Sequence, residues 1–190
     1  MKASKGNSVN DRNLVQAALL VIDVQQGLFK KSTPIYHAEE LLQNLNLLID
    51  LAHECNAPVF IIQHSDSKTL VKGSPDWQLH ARLQPHTKDS IIHKQHGNAF
   101  EDTPLVTELQ KRNVSCLVIT GLVTHGCVRA TCLGALQLGY KVILVEDGHS
   151  SYSGDAARLI EEWNQKLSEK NAEIKPASEV TFGFLNSPGV

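Results

Sequence analysis

The fold is decided by residues 115–147, SCLVITGLVTHGCVRATCLGALQLGYKVILVED, in which two apolar runs flank one helical pattern. The runs at 115–120 and 141–146 consist largely of Val, Ile and Leu, which is typical of parallel strands covered on both faces. Between them, residues 125–138 are mostly small and apolar, and Gly139 follows as a helix C-terminal cap. The stretch therefore predicts a strand–helix–strand unit of a parallel sheet.

The same alternation extends over most of the chain. Further strands are predicted at residues 17–24, 58–63 and 90–93, and further helices at residues 38–54, 103–112 and 155–170. Strands that alternate with helices of this length predict an α/β fold, a three-layer α/β/α sandwich around a doubly wound, Rossmann-like sheet. Residues 65–89 show no clear period and predict a long loop, a kind of segment that is often functional.

Composition and charge limit the kinds of partner. The 190 residues include 18 Lys and Arg against 20 Asp and Glu, a net charge of -2 with no basic cluster, which argues against nucleic acid or an anionic membrane. No apolar run approaches the ~20 residues of a membrane helix. The four cysteines include no C-x-x-C pair, which is typical of reduced thiols. We therefore expect a cytoplasmic protein with a disordered N-terminal tail at residues 1–14 and one domain at residues 15–190.

Three chemically distinct side chains follow three of the predicted strands. Asp23 closes the first strand, Lys94 the third, and Cys127 begins the helix after the fourth. Ligands of such sheets bind beyond the carboxyl ends of the strands, so an acid, a base and a thiol are expected at one edge. A helix start favours a thiolate, which would make Cys127 a nucleophile. Taken singly, Asp23 could be a cap, Lys94 a surface charge and Cys127 a buried packing residue.

Three segments together resemble the isochorismatase-like cysteine hydrolase superfamily. They are LLVIDVQQGLF with Asp23, IIHKQHGNAFEDTPL with Lys94, and VITGLVTHGCVRATCLGALQLGYKVILVEDGHSS with Cys127. The resemblance runs from about residue 17 to the end of the chain and implies a six-stranded parallel sheet between helices. It also implies a catalytic triad of Asp23, Lys94 and Cys127, and a non-proline cis peptide at Leu122–Val123. The N–H groups of Val123 and Cys127 would then form an oxyanion hole.

The activity that the resemblance implies is hydrolysis of a C–N bond in a small-molecule amide, lactam or ureido compound through a thioester. True isochorismatases cleave a vinyl ether and lack the cysteine, so that alternative is disfavoured. A non-catalytic member with a redox-reactive Cys127 is the other alternative. Nicotinamidases of the superfamily have a D-x-H metal pair after the second strand, whereas residues 64–67 here are His-Ser-Asp-Ser. We therefore predict no metal and no cofactor, and expect a homo-oligomer as in other family members.

Four further residues are predicted to line the substrate pocket. Phe29 and Phe100 each lie six positions after a proposed triad member, in segments that leave the catalytic edge. Trp77 is an aromatic residue of the long loop outside any periodic stripe, and His80 would share a face with it if that stretch were helical. The alternative is that Trp77 anchors the loop or lies in a subunit contact.

Overall fold

A computed structural model describes the backbone of residues 14–186 and the side chains of residues 16–183. The strands are β1 (Leu14–Ile22), β2 (Val59–His64), β3 (Ser90–Lys94), β4 (Val114–Leu122), β5 (Lys141–Ser150), β6 (Glu173–Lys175) and β7 (Phe184–Asn186). The helices are α1 (Gln26–Phe29), α2 (Ala38–Glu54), α3 (Leu105–Lys111), α4 (Arg129–Gln137) and α5 (Ala156–Ser168). β1 begins at Leu14, the last residue of the predicted tail, and the rest of that tail lies outside the described residues.

Six strands form a parallel sheet in the order β3-β2-β1-β4-β5-β6, as predicted. The short β7 adds an antiparallel pairing beside the start of β1, which was not predicted. The chain moves outward from β1 to β3 and then returns to place β4 on the other side of β1. This reversal of strand order opens a crevice at the carboxyl ends of β1 and β4, where ligands of such sheets bind.

The unbroken apolar runs are explained by burial on both faces of the sheet. In β1, Leu19 and Val21 pack into a core formed with α2, whereas Leu20 and Ile22 pack into a second core formed with α3, α4 and α5. All four are fully buried. Because successive strand residues point to opposite faces, two apolar layers require an apolar residue at every position. The three-layer sandwich is therefore confirmed.

One predicted helix differs in detail from the structure. The helix expected at residues 125–138 is divided into a wide turn, Thr124–Val128, and α4, because Gly126 has non-helical backbone angles. Gly139 closes α4 with a φ of 83°, as the C-terminal cap requires. Residues 65–89 contain no helix or strand among the named elements and form the long loop that was predicted.

Candidate active site

The structure brings Asp23, Lys94 and Cys127 together at the predicted edge. Asp23 directly follows β1, Lys94 is the last residue of β3, and Cys127 lies in the wide turn after β4. Ile22 pairs with Ile62 of β2 and with Gly121 of β4, so the chain ends that follow these strands lie side by side. The site is therefore at the crevice where the strand order reverses.

The Lys94 ammonium is the centre of this group. Its Nζ donates to Asp23 Oδ2 at 2.8 Å, lies 3.2 Å from Cys127 Sγ, and also donates to His96 O at 3.2 Å. Asp23 and Lys94 are each only 2% exposed. A buried charge is costly unless it is paired and hydrogen-bonded, and these contacts supply both conditions for Lys94.

One carboxylate oxygen of Asp23 is left without a partner. Oδ1 is buried and accepts no hydrogen bond from the described residues, whereas Oδ2 is held by Lys94. The backbone of Asp23 is turned out of the strand by a φ of 52°, while its N–H still donates to Ile62 O at 2.9 Å. A free acceptor beside a thiol is suited to receive the proton of that thiol.

The surroundings of Cys127 favour the neutral thiol, in contrast to the thiolate that a helix start would favour. Burial, followed by the negative charge of Asp23, raises the pKa of the Cys127 thiol to about 12, although Lys94 acts in the opposite direction. Desolvation penalises the charged form of the thiol and is the largest cause of this shift. The thiol therefore needs a proton acceptor at the moment of reaction.

The turn that contains Cys127 is fixed from behind by a buried histidine. The Leu122–Val123 peptide is cis, as the resemblance implied, and Thr124 follows it. Thr124 Oγ1 lies 2.9 Å from His149 Nδ1, and His149 Nε2 lies 2.9 Å from Asn164 Oδ1. Burial lowers the pKa of His149 to about 4, so the ring is neutral and can accept from Thr124 while donating to Asn164.

A cavity of about 230 Å³ opens beside the thiol. It is lined by residues at or after the ends of β1, β2, β4 and β5, by residues in or just after α1, and by residues of the long loop: Asp23, Leu28, Lys31, His64, Asp66, Thr69, Leu70, Val123, Cys127 and Tyr152. Val123 and Cys127 are both on this wall, which is the placement that an oxyanion hole requires, although that role stays a prediction. The volume suits a small molecule.

Two lining residues have their charge set by local contacts. Burial, followed by the Lys94 charge, lowers the pKa of His64, whose Nδ1 lies 3.3 Å from Lys94 Nζ. His64 is therefore neutral near pH 7 and accepts from the ammonium. Partial burial would raise the pKa of Asp66, but backbone N–H groups of Lys68, Thr69 and Leu70 hold it below its usual value. Asp66 thus orders the start of the long loop.

None of the four predicted pocket residues is among those that line this cavity. Phe29 packs against the His80 ring at 4.2 Å between centroids, and Phe100 stacks on Tyr140 at 5.9 Å. Trp77 Nε1 donates to Ser65 Oγ at 2.9 Å, which fits the alternative that Trp77 anchors the loop. The stretch from Trp77 to His80 is not helical, so these two residues do not share a helix face. Their contact with a substrate stays a prediction that this placement does not support.

Of the residues that line the cavity, the sequence singled out Asp23, Val123 and Cys127 but not most of the others. Lys31, Leu70 and Tyr152 lie in segments without a periodic pattern, and only the end of β2 gave a signal, by placing His64 at the ligand-binding edge. Lys31 Nζ lies 5.8 Å from the centre of the Tyr152 ring, a cation–π contact at the cavity wall.

The donors around Lys94 do not form a good site for a divalent metal. Asp23, His64 and Cys127 each offer a ligand atom within 4.8 Å of the other two. Lys94 Nζ, however, contacts all three side chains and already supplies positive charge among them. A divalent cation would have to displace or repel this buried ammonium. That the reaction uses no metal stays a prediction, and the buried Lys94 ammonium is its physical reason.

Fold and site together define a class: a three-layer α/β protein with a buried thiol, carboxylate and ammonium at the switch point of a parallel sheet. The chain belongs to the isochorismatase family, because the isochorismatase domain matches residues 17–163. This confirms the resemblance drawn from the three segments. Within residues 14–186, no helix is long and apolar enough to cross a membrane.

Curated relatives include several hydrolases. A streptothricin hydrolase of Streptomyces noursei is 31% identical over 74% of this chain and 51% of its own length. A ureidoacrylate amidohydrolase of Variovorax paradoxus is 31% identical over 78% of this chain and 56% of its own length. A maleamate amidohydrolase of Pseudomonas putida is 26% identical over 68% of this chain and 70% of its own length. The chain spans about half the length of the streptothricin hydrolases that it matches.

Solved structures agree with the fold. An isochorismatase family protein has a TM-score of 0.79 at 30% identity, and the match covers 83% of this chain and 96% of that chain. A cysteine hydrolase from Pseudomonas syringae has a TM-score of 0.80 at 20% identity, and the match covers 89% of this chain and 95% of that chain. At this identity the likeness shows the fold alone.

Proposed function

We propose that this protein is a cysteine-dependent hydrolase that cleaves the C–N bond of a small amide, lactam or ureido compound through a thioester. The observation that supports this most strongly is the buried contact of Lys94 Nζ with Asp23 Oδ2 and Cys127 Sγ, at the wall of a small cavity. The names of three relatives, a streptothricin hydrolase and two amidohydrolases, point to the same kind of reaction.

The first step is attack of Cys127 Sγ on the substrate carbonyl carbon. As the S–C bond forms, the thiol proton passes to the unpartnered Oδ1 of Asp23, which acts as general base. The high pKa of the thiol makes this transfer necessary, because few thiolates exist at neutral pH. Lys94 stays protonated and balances the negative charge that would otherwise build up between carboxylate and sulfur.

The carbonyl oxygen becomes an oxyanion in the resulting tetrahedral intermediate. The backbone N–H groups of Val123 and Cys127 are proposed to donate to it, since both residues lie on the cavity wall. When the intermediate collapses, the C–N bond breaks and protonated Asp23 returns its proton to the leaving nitrogen. This proton is essential because an amide anion is too basic to leave alone.

Water completes the cycle. It attacks the thioester carbonyl and gives a proton to Asp23, the C–S bond breaks, and sulfur recovers that proton as the neutral thiol. The products are a carboxylic or carbamic acid and an amine or ammonia, and for a lactam both groups lie in one ring-opened molecule. The same groups therefore serve both halves of the reaction, and no cofactor is needed to balance it.

The alternatives have less support. A redox-reactive thiol is typically exposed and has a low pKa, whereas burial raises the pKa of Cys127. Vinyl-ether cleavage gives no role to the thiol. A cytoplasmic location and a homo-oligomer stay predictions.

The test is a screen of small primary amides, lactams and ureido acids for release of ammonia or amine. We expect turnover of a subset by the unaltered chain and by Cys55→Ala, a control that removes a half-buried thiol at the end of α2. Cys127→Ala should give no turnover while it keeps the same melting temperature. Equal turnover by Cys127→Ala, or release from none of the C–N substrates, would contradict the proposal.

A further inference from the structure

The active-site cavity contains a cationic side chain to which the proposed reaction gives no role. Lys31 lines the cavity and lies two positions after Phe29, where α1 ends. Its neighbour Lys30 pairs with Asp76 at the surface. The Lys31 ammonium, in contrast, forms no ion pair and no hydrogen bond with any side chain or backbone group that the structure describes. Its charge is therefore unmatched within residues 16–183.

The Lys31 ammonium lies against an aromatic ring at the cavity wall. Its Nζ is 5.8 Å from the centre of the Tyr152 ring, and Tyr152 also lines the cavity. A ring face attracts a cation, but it does not offer the oxygen lone pairs that the three ammonium N–H groups bind most strongly. Both side chains are half-buried, so water reaches them only in part. The ammonium therefore keeps donors for a ligand in the cavity.

The other charged groups of the cavity wall already have partners. Asp23 Oδ2 accepts from Lys94 Nζ, and the proposed reaction uses both groups. Asp66 is exposed, and its Oδ1 accepts from the backbone N–H groups of the residues two, three and four positions further on. Burial, followed by the Lys94 charge, lowers the pKa of His64, which is therefore neutral near pH 7. Lys31 is thus the charge on this wall that is left for a ligand.

The backbone around Lys31 is fixed on both sides. On one side, Gly27 N–H in α1 donates to Asp76 O of the long loop at 2.8 Å, and a Cβ added at Gly27 would lie only 2.9 Å from the Asp76 Cβ. On the other side, Tyr36 N–H donates to Ser151 O, just after β5, at 2.9 Å. Because these contacts exist without a ligand, less ordering is needed when one binds.

We propose that Lys31 binds a carboxylate of the substrate, so that the substrate is an amide with a negatively charged group. This inference rests on the proposed C–N hydrolysis and names its substrate class. An ammonium and a carboxylate form a charge-assisted hydrogen bond. Leu28, Leu70 and Val123 line the same cavity, and their apolar side chains suit a short carbon chain between the amide and the carboxylate. One unmatched cation fits one negative charge, as in the half-amide of a dicarboxylic acid.

Lys31 should act on binding rather than on bond breaking. The contacts of Lys94 Nζ join Asp23 and Cys127, and Lys31 takes no part in them. A contact made equally in the ground state and the transition state changes KM and leaves kcat nearly constant. A hydrogen bond to a charged group changes affinity about 10- to 100-fold.

The first experiment measures binding without turnover. Isothermal titration calorimetry on the full chain with Cys127→Ala compares malonamate, succinamate and glutaramate, each with the neutral diamide of the same length. We expect at least one half-amide to bind about 10- to 100-fold more tightly than its diamide. Lys31→Met in the same background should abolish this preference, whereas Lys31→Arg, which keeps the charge, should retain most of it.

Lys30→Met is the matched control. Lys30 is adjacent in the chain and pairs with Asp76, and neither residue lines the cavity. Its removal changes the net charge of the chain by the same amount as Lys31→Met. The preference for the half-amide should therefore remain in Lys30→Met.

The second experiment measures turnover of the same amides by the chain with Cys127 intact. Lys31→Met should raise the KM of the preferred half-amide about 10- to 100-fold with little change in kcat. If no amide is hydrolysed but the binding preference depends on Lys31, the proposed hydrolysis fails and the carboxylate site stands. The carboxylate site is overturned if no half-amide binds more tightly than its diamide, if Lys31→Met keeps the preference, or if Lys30→Met loses it equally.

Discussion

The buried pair of Asp23 and Lys94 predicts an asymmetric loss of stability when either partner is removed. Lys94→Met keeps the length of the side chain but leaves a buried carboxylate with neither oxygen paired, because Oδ1 has no partner already. Breaking a buried pair in this way costs about 3–5 kcal/mol of the free energy of unfolding. That is a large part of the ~5–15 kcal/mol available to a typical domain.

Asp23→Asn should cost less. The Lys94 ammonium keeps the nitrogen of His64 and the carbonyl oxygen of His96 as acceptors, at 3.3 and 3.2 Å. We expect a loss of about 1–3 kcal/mol, the range for a buried polar group that loses one partner. The double variant removes both charges, so its loss should be smaller than the sum of the single losses by about 2 kcal/mol or more.

Urea unfolding at pH 7, followed by circular dichroism, measures all four free energies, and the screen for C–N hydrolysis measures activity. We expect Lys94→Met, Asp23→Asn and the double variant all to be inactive. The double variant should nevertheless lose less free energy of unfolding than the two single losses added together. Lys30→Met is the control, since Lys30 pairs with Asp76 at the surface and its loss should not change the free energy measurably. Strictly additive losses, or a Lys94→Met variant as stable as Lys30→Met, would refute the buried pair.

Three further predictions follow from pKa values and packing. The pKa of about 12 leaves roughly one Cys127 thiolate in 10⁵ at pH 7, so its alkylation by iodoacetamide should accelerate tenfold per pH unit up to pH 9. A plateau near pH 7 in peptide mass spectrometry would show a preformed thiolate instead. Protonation of His149 occurs in the unfolded chain near pH 6.5 but in the folded chain only near pH 4, so stability is lost as the pH falls between these values. Between pH 7 and pH 5, His149 should lower the free energy of unfolding, measured in urea, by about 2 kcal/mol. An equal pH dependence in His149→Gln would show that His149 is not the cause. Gly121→Ala should prevent stable folding, because the added Cβ would lie 2.1 Å from Ile22 O and the φ of Gly121 is 108°. This variant should show no cooperative thermal unfolding. Gly139→Ala, with a φ of 83° but open space around it, should melt only a few degrees lower, and equal melting of the two variants would contradict the close approach.

The sheet and the three central residues were predictable because they depend on local sequence. Both faces of β1 are buried, so the apolar run is continuous, and the acid that ends it lies at the ligand-binding edge by topology alone. The same rule places Lys94 at this edge. The resemblance to the family implied that Cys127 is the catalytic nucleophile and that the Leu122–Val123 peptide is cis. These features needed no knowledge of side-chain packing.

The pocket and the charge states were not predictable in the same way. Trp77 lies in a loop without periodicity, and only the fold shows that its indole bonds Ser65 rather than facing the cavity. The pKa of Cys127 is raised by burial and by the charge of Asp23, and neither effect can be read from the local sequence. Each of these depends on contacts between distant segments.

Rapid-quench mass spectrometry during turnover of an amide from the screen can detect the thioester that Cys127 is proposed to form with the substrate. We expect an intact chain heavier by the mass of the substrate acyl group, with the added mass on the Cys127 peptide and released by hydroxylamine. Cys55→Ala should give the same adduct. An adduct on another residue, or full turnover by Cys127→Ala without any adduct, would show that Cys127 is not the nucleophile.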